Sequence, residues 1–145
     1  MKHILIFVFA FLCFSRTFSQ VQVGIYHSGL SAQIGVGTDI EKKFFGELRF
    51  LAPDRLELDL GIEAIGQYNF YRSEWYNLHG GVMLGFFGDF GIGPEASIGL
   101  PFGTTIKPIS TFRRLGILME ATPYLLGDQV FLRGNLGLRM RLGGD

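Results

Sequence analysis

The stretch from Val130 to Leu142 alternates between apolar and polar positions along the chain. One face of this stretch is aliphatic and consists of Val130, Leu132, Leu136, Leu138, Met140 and Leu142. The other face is mostly polar and consists of Phe131, Arg133, Asn135, Gly137, Arg139 and Arg141. Strict alternation is typical of a β-strand whose two faces meet different surroundings. The pattern therefore predicts a strand with arginines concentrated on one face.

The same alternation recurs along the chain and predicts eight strands. They cover residues 20–26, 30–38, 43–51, 55–66, 74–86, 89–100, 114–125 and 130–142. Residue pairs typical of tight turns separate several strands, at Pro53-Asp54, Gly88-Asp89 and Gly127-Asp128, with a further candidate at His27-Ser28-Gly29. Longer links are predicted at residues 39–42, 67–73 and 101–113. The order of strands and turns predicts an all-β, antiparallel, up-and-down barrel.

The polar face of the predicted strands carries charges of both signs. Its ionisable side chains are Glu47, Arg49, Arg55, Glu57, Asp59, Glu63, His79, Glu95, Glu120, Arg133, Arg139 and Arg141. Acids and arginines nearly balance in this set. A buried charge is very costly unless it is paired, and the planar guanidinium of arginine is suited to pairing with carboxylates. The pattern favours a transmembrane barrel with lipid outside and a lumen filled by a charge network.

A soluble barrel with a wet outer face and an apolar pocket would also alternate. Aromatic residues favour the membrane interpretation, because they gather where strands are predicted to end. The candidates for the membrane interface are Tyr68, Phe70, Tyr71, Trp75, Tyr76, Phe86, Phe87, Phe90 and Tyr124. Two bands of aromatic side chains are typical of the two membrane–water interfaces. A soluble periplasmic barrel that binds an apolar ligand remains the alternative.

The N-terminus has the pattern of a secretory signal peptide. Lys2 precedes an unbroken apolar run over residues 4–14, and small residues follow up to Ser19. The run is shorter than the ~20 apolar residues that a transmembrane helix needs. We expect cleavage after Ser19, which leaves residues 20–145 as one domain.

Cleavage would also remove the single cysteine, Cys13, together with Lys2 and Arg16. The remaining chain would carry 11 basic and 13 acidic residues, so its net charge would be near −2. Without a thiol it would have no disulfide and no thiolate metal site. No basic run predicts a nucleic-acid partner. No residue spacing predicts a metal site or a phosphate-binding loop, so no cofactor is expected.

The chain resembles the small, eight-stranded outer-membrane β-barrel proteins of diderm bacteria over residues 20–145. Its terminal run from Gly134 to Leu142 resembles the C-terminal signal read by the outer-membrane insertion machinery. That signal usually ends on an aromatic residue, whereas Leu142 takes the place here and three further residues follow. The resemblance implies an outer-membrane location, with outer-membrane lipid and the insertion machinery as partners.

The predicted turns depart from that family in one respect. With eight strands, the tight turns lie at the end opposite the two termini, whereas bacterial barrels normally keep termini and short turns together on the periplasmic side. Merging residues 20–38 into one bulged strand would give seven strands and restore the usual loop order. We keep eight strands, because seven would leave the C-terminus outside.

His79 is the residue best suited to acid–base chemistry. It lies on the polar face, with Glu63 and Glu95 as possible carboxylate partners, but no serine nucleophile is placed beside it. We interpret it as a lumen histidine within the polar network, and a lipid-modifying enzyme using His79 is the alternative. The predicted function is a non-enzymatic outer-membrane barrel with a structural, adhesive or envelope-assembly role.

Overall fold

The computed structural model describes residues 20–29, 31–53, 60–89 and 93–143. These residues form nine antiparallel strands, which confirms the predicted all-β fold. The strands are β1 (Val21–Ser28), β2 (Ser31–Thr38), β3 (Phe44–Pro53), β4 (Leu60–Arg72), β5 (Tyr76–Asp89), β6 (Gly93–Gly99), β7 (Phe102–Ile106), β8 (Leu115–Leu126) and β9 (Gln129–Leu142). In the part of the chain that the structure describes, no helix is long and apolar enough to cross a membrane.

The nine strands close into a barrel of eight positions. The first and last strands complete the ring, because Val21 of β1 pairs with Leu142 of β9. β6 and β7 share one position, since each pairs with both β5 and β8. The predicted eight-stranded barrel is therefore confirmed. The seven-strand alternative is wrong, because β1 and β2 are separate strands that pair with each other through a tight turn.

Pro101 interrupts the sixth barrel position and separates β6 from β7. The register is unchanged across the interruption, because Gly99 faces Met83 and Phe102 faces Gly80 in one continuous alignment. Proline has no N–H to donate to a neighbouring strand, so the ladder is interrupted over Leu100 and Pro101 only. Its carbonyl still accepts a hydrogen bond from β5 at 2.9 Å. β6 and β7 therefore act as one strand.

Several predicted connections are partly or wholly strand, and Ser28 and Pro53 of two predicted turns are the last residues of β1 and β3. Residues 67–72 belong to β4, which continues to pair with β5 past an irregularity between Asn69 and Tyr71. Residues 102–106 form β7 within the predicted link 101–113. Gly88-Asp89 is the end of β5, so it is not a turn. In each case pairing with a neighbouring strand outweighed the local turn signal.

The polar face of the strands points into the barrel, and the apolar face points outward. Large side chains that are fully buried include Arg49, Arg139, His79, Gln22, Glu63 and Asn77. Large apolar side chains are instead exposed on the outer wall, with Leu132 74 %, Ile34 60 % and Val82 57 % exposed. Soluble proteins bury most residues of the second kind and expose most of the first. The distribution of polar and apolar side chains between the inside and the outside is therefore the reverse of that in a soluble barrel.

Glycines make room inside the barrel for the ring of Tyr26. Gly24 lies beside it on β1, and Gly35 and Gly137 lie on the two neighbouring strands. A Cβ atom at any of the three would collide with the tyrosine ring. Small residues next to large ones are how a narrow barrel fills its interior.

We name the two ends of the barrel from its strands. The proximal end is where β1 begins and β9 ends, and the distal end is opposite. The proximal connections are residues 39–43, 73–75 and 107–114. At the distal end β1 is followed by β2, β3 by β4, β5 by β6 and β8 by β9, and residues 127–128 are the distal connection that lies wholly within the described residues. At the last distal turn Gly127 has a φ of 59°, which favours glycine. The shortest connections lie at the distal end, as the predicted turns indicated.

Candidate functional site

The centre of the lumen holds a buried ion-pair cluster. Arg49 on β3 donates two hydrogen bonds to Glu120 on β8, at 2.7 and 3.1 Å, and one to Glu47 at 3.1 Å. Arg139 on β9 donates to Glu47 at 2.7 Å and to the hydroxyl of Tyr26 at 3.0 Å. That hydroxyl in turn donates to Glu47. Two arginines and two carboxylates thus neutralise each other, and their ion-paired side chains are 0 % exposed.

A second ion pair crosses the lumen toward the distal end. Arg133 on β9 donates to both carboxylate oxygens of Glu63 on β4, at 2.7 and 2.8 Å. The guanidinium also lies 3.4 Å from the sulfur of Met83 and 5.5 Å from the ring centre of Tyr124. β9 and β4 occupy opposite positions in the ring, so this pair spans the interior. Bidentate pairing of this kind is both strong and geometrically specific.

Side-chain amides complete the central cluster, although only ionisable residues were predicted in the lumen network. Gln67 and Asn135 donate to Glu120 at 3.0 and 3.1 Å. Gln33 donates to the side-chain oxygen of Asn135 at 3.1 Å. All three lie on the inward face of their strands, so strand alternation was the signal that could have found them. They supply hydrogen bonds that a buried carboxylate needs beyond its ion pair.

The proximal end is covered by the turn at residues 39–43. Ile40 in this turn is only 5 % exposed. Its carbonyl accepts hydrogen bonds from the side-chain amides of Asn69 and Asn77, at 2.8 and 3.2 Å. The turn is therefore held across the mouth of the barrel by side chains of β4 and β5.

Lys107, directly after β7, binds the same turn beside Asn77. Its ammonium donates to both carboxylate oxygens of Glu41 at 3.0 and 3.1 Å, to the Ser73 carbonyl at 2.7 Å and to Asn77 at 3.2 Å. The side chain is only 4 % exposed. Lys107 was not predicted as a site residue because it lies in a link, where strand alternation gives no signal, and the strand that it directly follows, β7, was not predicted.

The structure brings together most of the predicted lumen charges, but not all of them. Arg141 lies at the proximal end, 3.7 Å from Asp39. Glu95 was predicted in the network and is instead exposed, because it lies close to the distal end of β6. Arg55, Glu57 and Asp59 lie outside the described residues.

His79 is buried, but its predicted carboxylate neighbours are distant. Glu63 and Glu95 pair with Gly85 and Phe87 of β5, six and eight residues beyond His79. At about 3.4 Å per residue this separation is roughly 20 Å or more. The histidine Nε2 instead lies 3.3 Å from the hydroxyl of Thr105, and its ring contacts Phe45 edge-on.

The predicted interface aromatics that the structure describes divide into three groups. Those near the proximal end lie on the outer surface and are Tyr68, Phe70, Tyr71, Trp75 and Tyr76, accompanied by Phe44. Phe86 is also exposed on the outer wall, nearer the distal end. The placement of Phe87 and Tyr124 at the interface was wrong, because strand alternation turns both inward, over Gly61 and beside Arg133. Phe90 lies outside the described residues.

The arrangement as a whole has an apolar outer wall and a lumen crowded with paired charges. Lipid is the surrounding in which exposed aliphatic side chains on every strand are stable. The soluble alternative required the apolar face to be inside, and the structure places it outside. Chemically, the lumen can hold the strands in register and exclude solutes, since an eight-stranded barrel is just wide enough to be filled by side chains.

Comparisons with known proteins identify the class to which this fold belongs. No protein-family model and no curated protein matches the sequence. The chain is similar in structure to the N-terminal β-barrel domain of Pseudomonas aeruginosa OprF, with a TM-score of 0.62 at 5 % identity, over 85 % of this chain and 96 % of that one. It is also similar to the Yersinia pestis outer membrane protein Ail, with a TM-score of 0.52 at 14 % identity, over 85 % of this chain and 97 % of that one.

The chain is also similar to a de novo designed transmembrane β-barrel, with a TM-score of 0.54 at 13 % identity, over 85 % of this chain and 93 % of that one. These likenesses are of fold, because the identities are low. The chain therefore has the fold of the small, eight-stranded transmembrane β-barrels of the outer membrane.

Proposed function

We propose that this chain is a non-enzymatic barrel of the outer membrane of a diderm bacterium, reached after cleavage of the signal peptide at residue 19. Its role is structural or adhesive, or that of a partner within a larger envelope assembly. The observation that carries the proposal is the inverted burial: charged side chains form the core, and aliphatic side chains form the surface. That distribution is stable only where the surroundings are apolar.

The lumen supports a structural role better than a transport role. The pairs Arg49–Glu120 and Arg133–Glu63 each join opposite positions of the ring. The turn carrying Ile40 covers the proximal mouth. In a barrel filled in this way, the outer wall and the connections are accessible to partners, and the interior side chains stabilise the fold.

Two partners follow from the outer wall and the last strand. Outer-membrane lipid would surround the exposed aliphatic side chains. The insertion machinery would recognise β9, whose aliphatic positions Leu136, Leu138, Met140 and Leu142 all face outward. β9 also closes the ring against β1, so its pairing completes the barrel.

Fractionation of expressing cells tests the proposal directly. The expected result is that the protein leaves the membrane fraction only with detergent and migrates faster on a gel before boiling than after. Recovery in the soluble periplasmic fraction, without such a shift, would contradict the proposal and would favour a soluble barrel.

A further inference from the structure

Two glycines on the outer wall have no packing reason to be glycine. Gly46 of β3 and Gly66 of β4 are directly paired, and both face outward, since their neighbours along each strand are buried. A Cβ atom at Gly46 would come no closer than 3.6 Å to other atoms, and one at Gly66 no closer than 4.0 Å. Side chains would fit at both positions, in contrast to the glycines around Tyr26. Because glycine has no side chain, the backbone of the outer wall is uncovered at these two positions.

The bare wall is the floor of a trough on the outside of the barrel. Two overlapping grooves of about 500 and 570 Å³ share Thr38, Gly46, Gly66 and Val82 as lining residues. The first groove extends toward the proximal end, to Lys42, Phe44 and Tyr68. The second extends toward the middle of the wall, to Leu48, Ala64 and Leu84. Each is within the range of sites that hold a small molecule, about 300–1,000 Å³.

The proximal mouth of the trough is basic and aromatic. Lys42 and Lys43 are exposed, and the ammonium of Lys43 lies 5.5 Å from the ring centre of Tyr68. Tyr68 packs against Phe44 and Phe70 at ring distances of 4.9 and 5.6 Å. Aromatic belts and juxtamembrane lysines are the features that hold anionic lipid headgroups at a membrane surface.

The two carboxylates of the turn at residues 39–43 are paired with other cations. They therefore do not neutralise the lysines at the proximal mouth of the trough. Glu41 is engaged by Lys107 at 3.0 and 3.1 Å. Asp39 accepts a hydrogen bond from the Glu41 backbone at 3.0 Å and lies 3.7 Å from Arg141. Among the described residues that line the first groove, none is acidic.

From this geometry we infer that the trough binds one anionic glycerophospholipid. An acyl chain lies along the Gly46–Gly66 floor, and the phosphate of the headgroup lies beside Lys42 and Lys43. The inference rests on the proposed membrane location. A second copy of the chain fits less well, because a two-fold contact through this wall would bring the lysines of both copies together.

Native mass spectrometry of the detergent-extracted protein tests the site with two added lipids, phosphatidylglycerol and phosphatidylcholine. We expect the unaltered protein to retain one phosphatidylglycerol in preference to phosphatidylcholine. The double variant Gly46→Leu/Gly66→Leu fills the trough and should retain neither lipid. Gly134→Leu is the matched control: Gly134 is exposed on β9, on the opposite side of the ring, with open space around its Cβ position. Its lipid binding should be unchanged.

The double variant Lys42→Gln/Lys43→Gln tests the headgroup without touching the strands. It should weaken phosphatidylglycerol binding about thirtyfold, from the usual contribution of about 1 kcal/mol for each of two lysines near a membrane surface, and leave phosphatidylcholine binding unchanged. Equal retention by the trough-filled variant and the unaltered protein would overturn the inference. So would a dimer that disappears in the trough-filled variant, which would assign the trough to a second copy.

The gel shift on boiling is measured for every variant before lipid is added. Loss of the shift in the unaltered protein would contradict the membrane barrel itself. If the gel shift is normal but lipid binding is the same in both double variants as in the unaltered protein, only the lipid site is contradicted.

Discussion

At the scale of single residues, the lumen combines tight packing with full pairing of charge. The ring of Tyr26 occupies space that Gly24, Gly35 and Gly137 leave free, and its hydroxyl joins Arg139 to Glu47. Glycine at these positions is a steric requirement, because no side chain could share the space. The same residue type on the outer wall, at Gly134, meets nothing within 4 Å.

This contrast predicts opposite outcomes for two substitutions on one strand. Gly137→Ala should destabilise the barrel by about 1–3 kcal/mol, because its Cβ would overlap the Tyr26 ring and the β1 backbone. Gly134→Ala should be neutral or stabilise by up to about 1 kcal/mol, since alanine lowers the entropy cost of folding. Denaturant unfolding in detergent measures both. Equal destabilisation by the two changes would contradict the packing argument.

Removing one charge from the central cluster should be costly. Glu120→Ala leaves Arg49 and Arg139 with one carboxylate, Glu47, so a positive charge is buried without a partner. Loss of one member of a buried pair typically costs about 3–5 kcal/mol. Glu95→Ala, at an exposed position, is the control and should stay within about 0.5 kcal/mol. The free energy of unfolding in detergent measures both, and a small loss for Glu120→Ala would mean that water reaches the cluster.

At the scale of elements, strand alternation predicts which side of the sheet a residue occupies but not its partner across the lumen. Alternation placed Arg49 and Glu120 on the same inner surface. Their pairing depends on the register of all the strands between them, which local pattern does not specify. Alternation would also have turned Tyr124 inward, had its aromatic character not been taken as a sign of the interface. β7 escaped detection because Pro101 reads locally as the end of a strand.

The continuous register around Pro101 predicts that this proline is a local gap in one strand. Pro101→Val restores an N–H directed at β5 and keeps a similar volume, so stability should change by no more than about 1.5 kcal/mol. The new amide should exchange slowly with solvent in hydrogen-exchange measurements. Pro108→Val, at an exposed position after β7, is the control, and its amide should exchange rapidly. Rapid exchange at residue 101 would show that β6 and β7 are separate elements.

At the scale of the whole molecule, the barrel has an apolar outer wall, and ion pairs cross the centre of its lumen. Ion pairs join β3 to β8 and β4 to β9, so opposite walls are held at fixed distances. The connections that the structure describes in full are short, with eight residues in the longest, between β7 and β8. Of the residues that the structure describes, few lie outside the wall and the lumen. Contacts with partners must therefore involve the outer wall and its rims.

The ion pairs that fill the lumen predict that the protein does not conduct ions or admit sugars. In planar bilayers the unaltered protein should give no discrete channel currents, because Arg49, Glu120, Arg133 and Glu63 occupy the cross-section. Replacing all four with alanine removes the two cross-lumen pairs together, so no buried charge of these pairs is left unpartnered. If it retains the gel shift on boiling, that variant should give brief, intermittent currents, because the turn at residues 39–43 still covers the proximal mouth. The control removes the exposed ion pair Glu74–Arg113 at the rim, and it should give no channel currents. Steady currents from the unaltered protein would show that the lumen is open, and the proposed structural role would then give way to that of a pore.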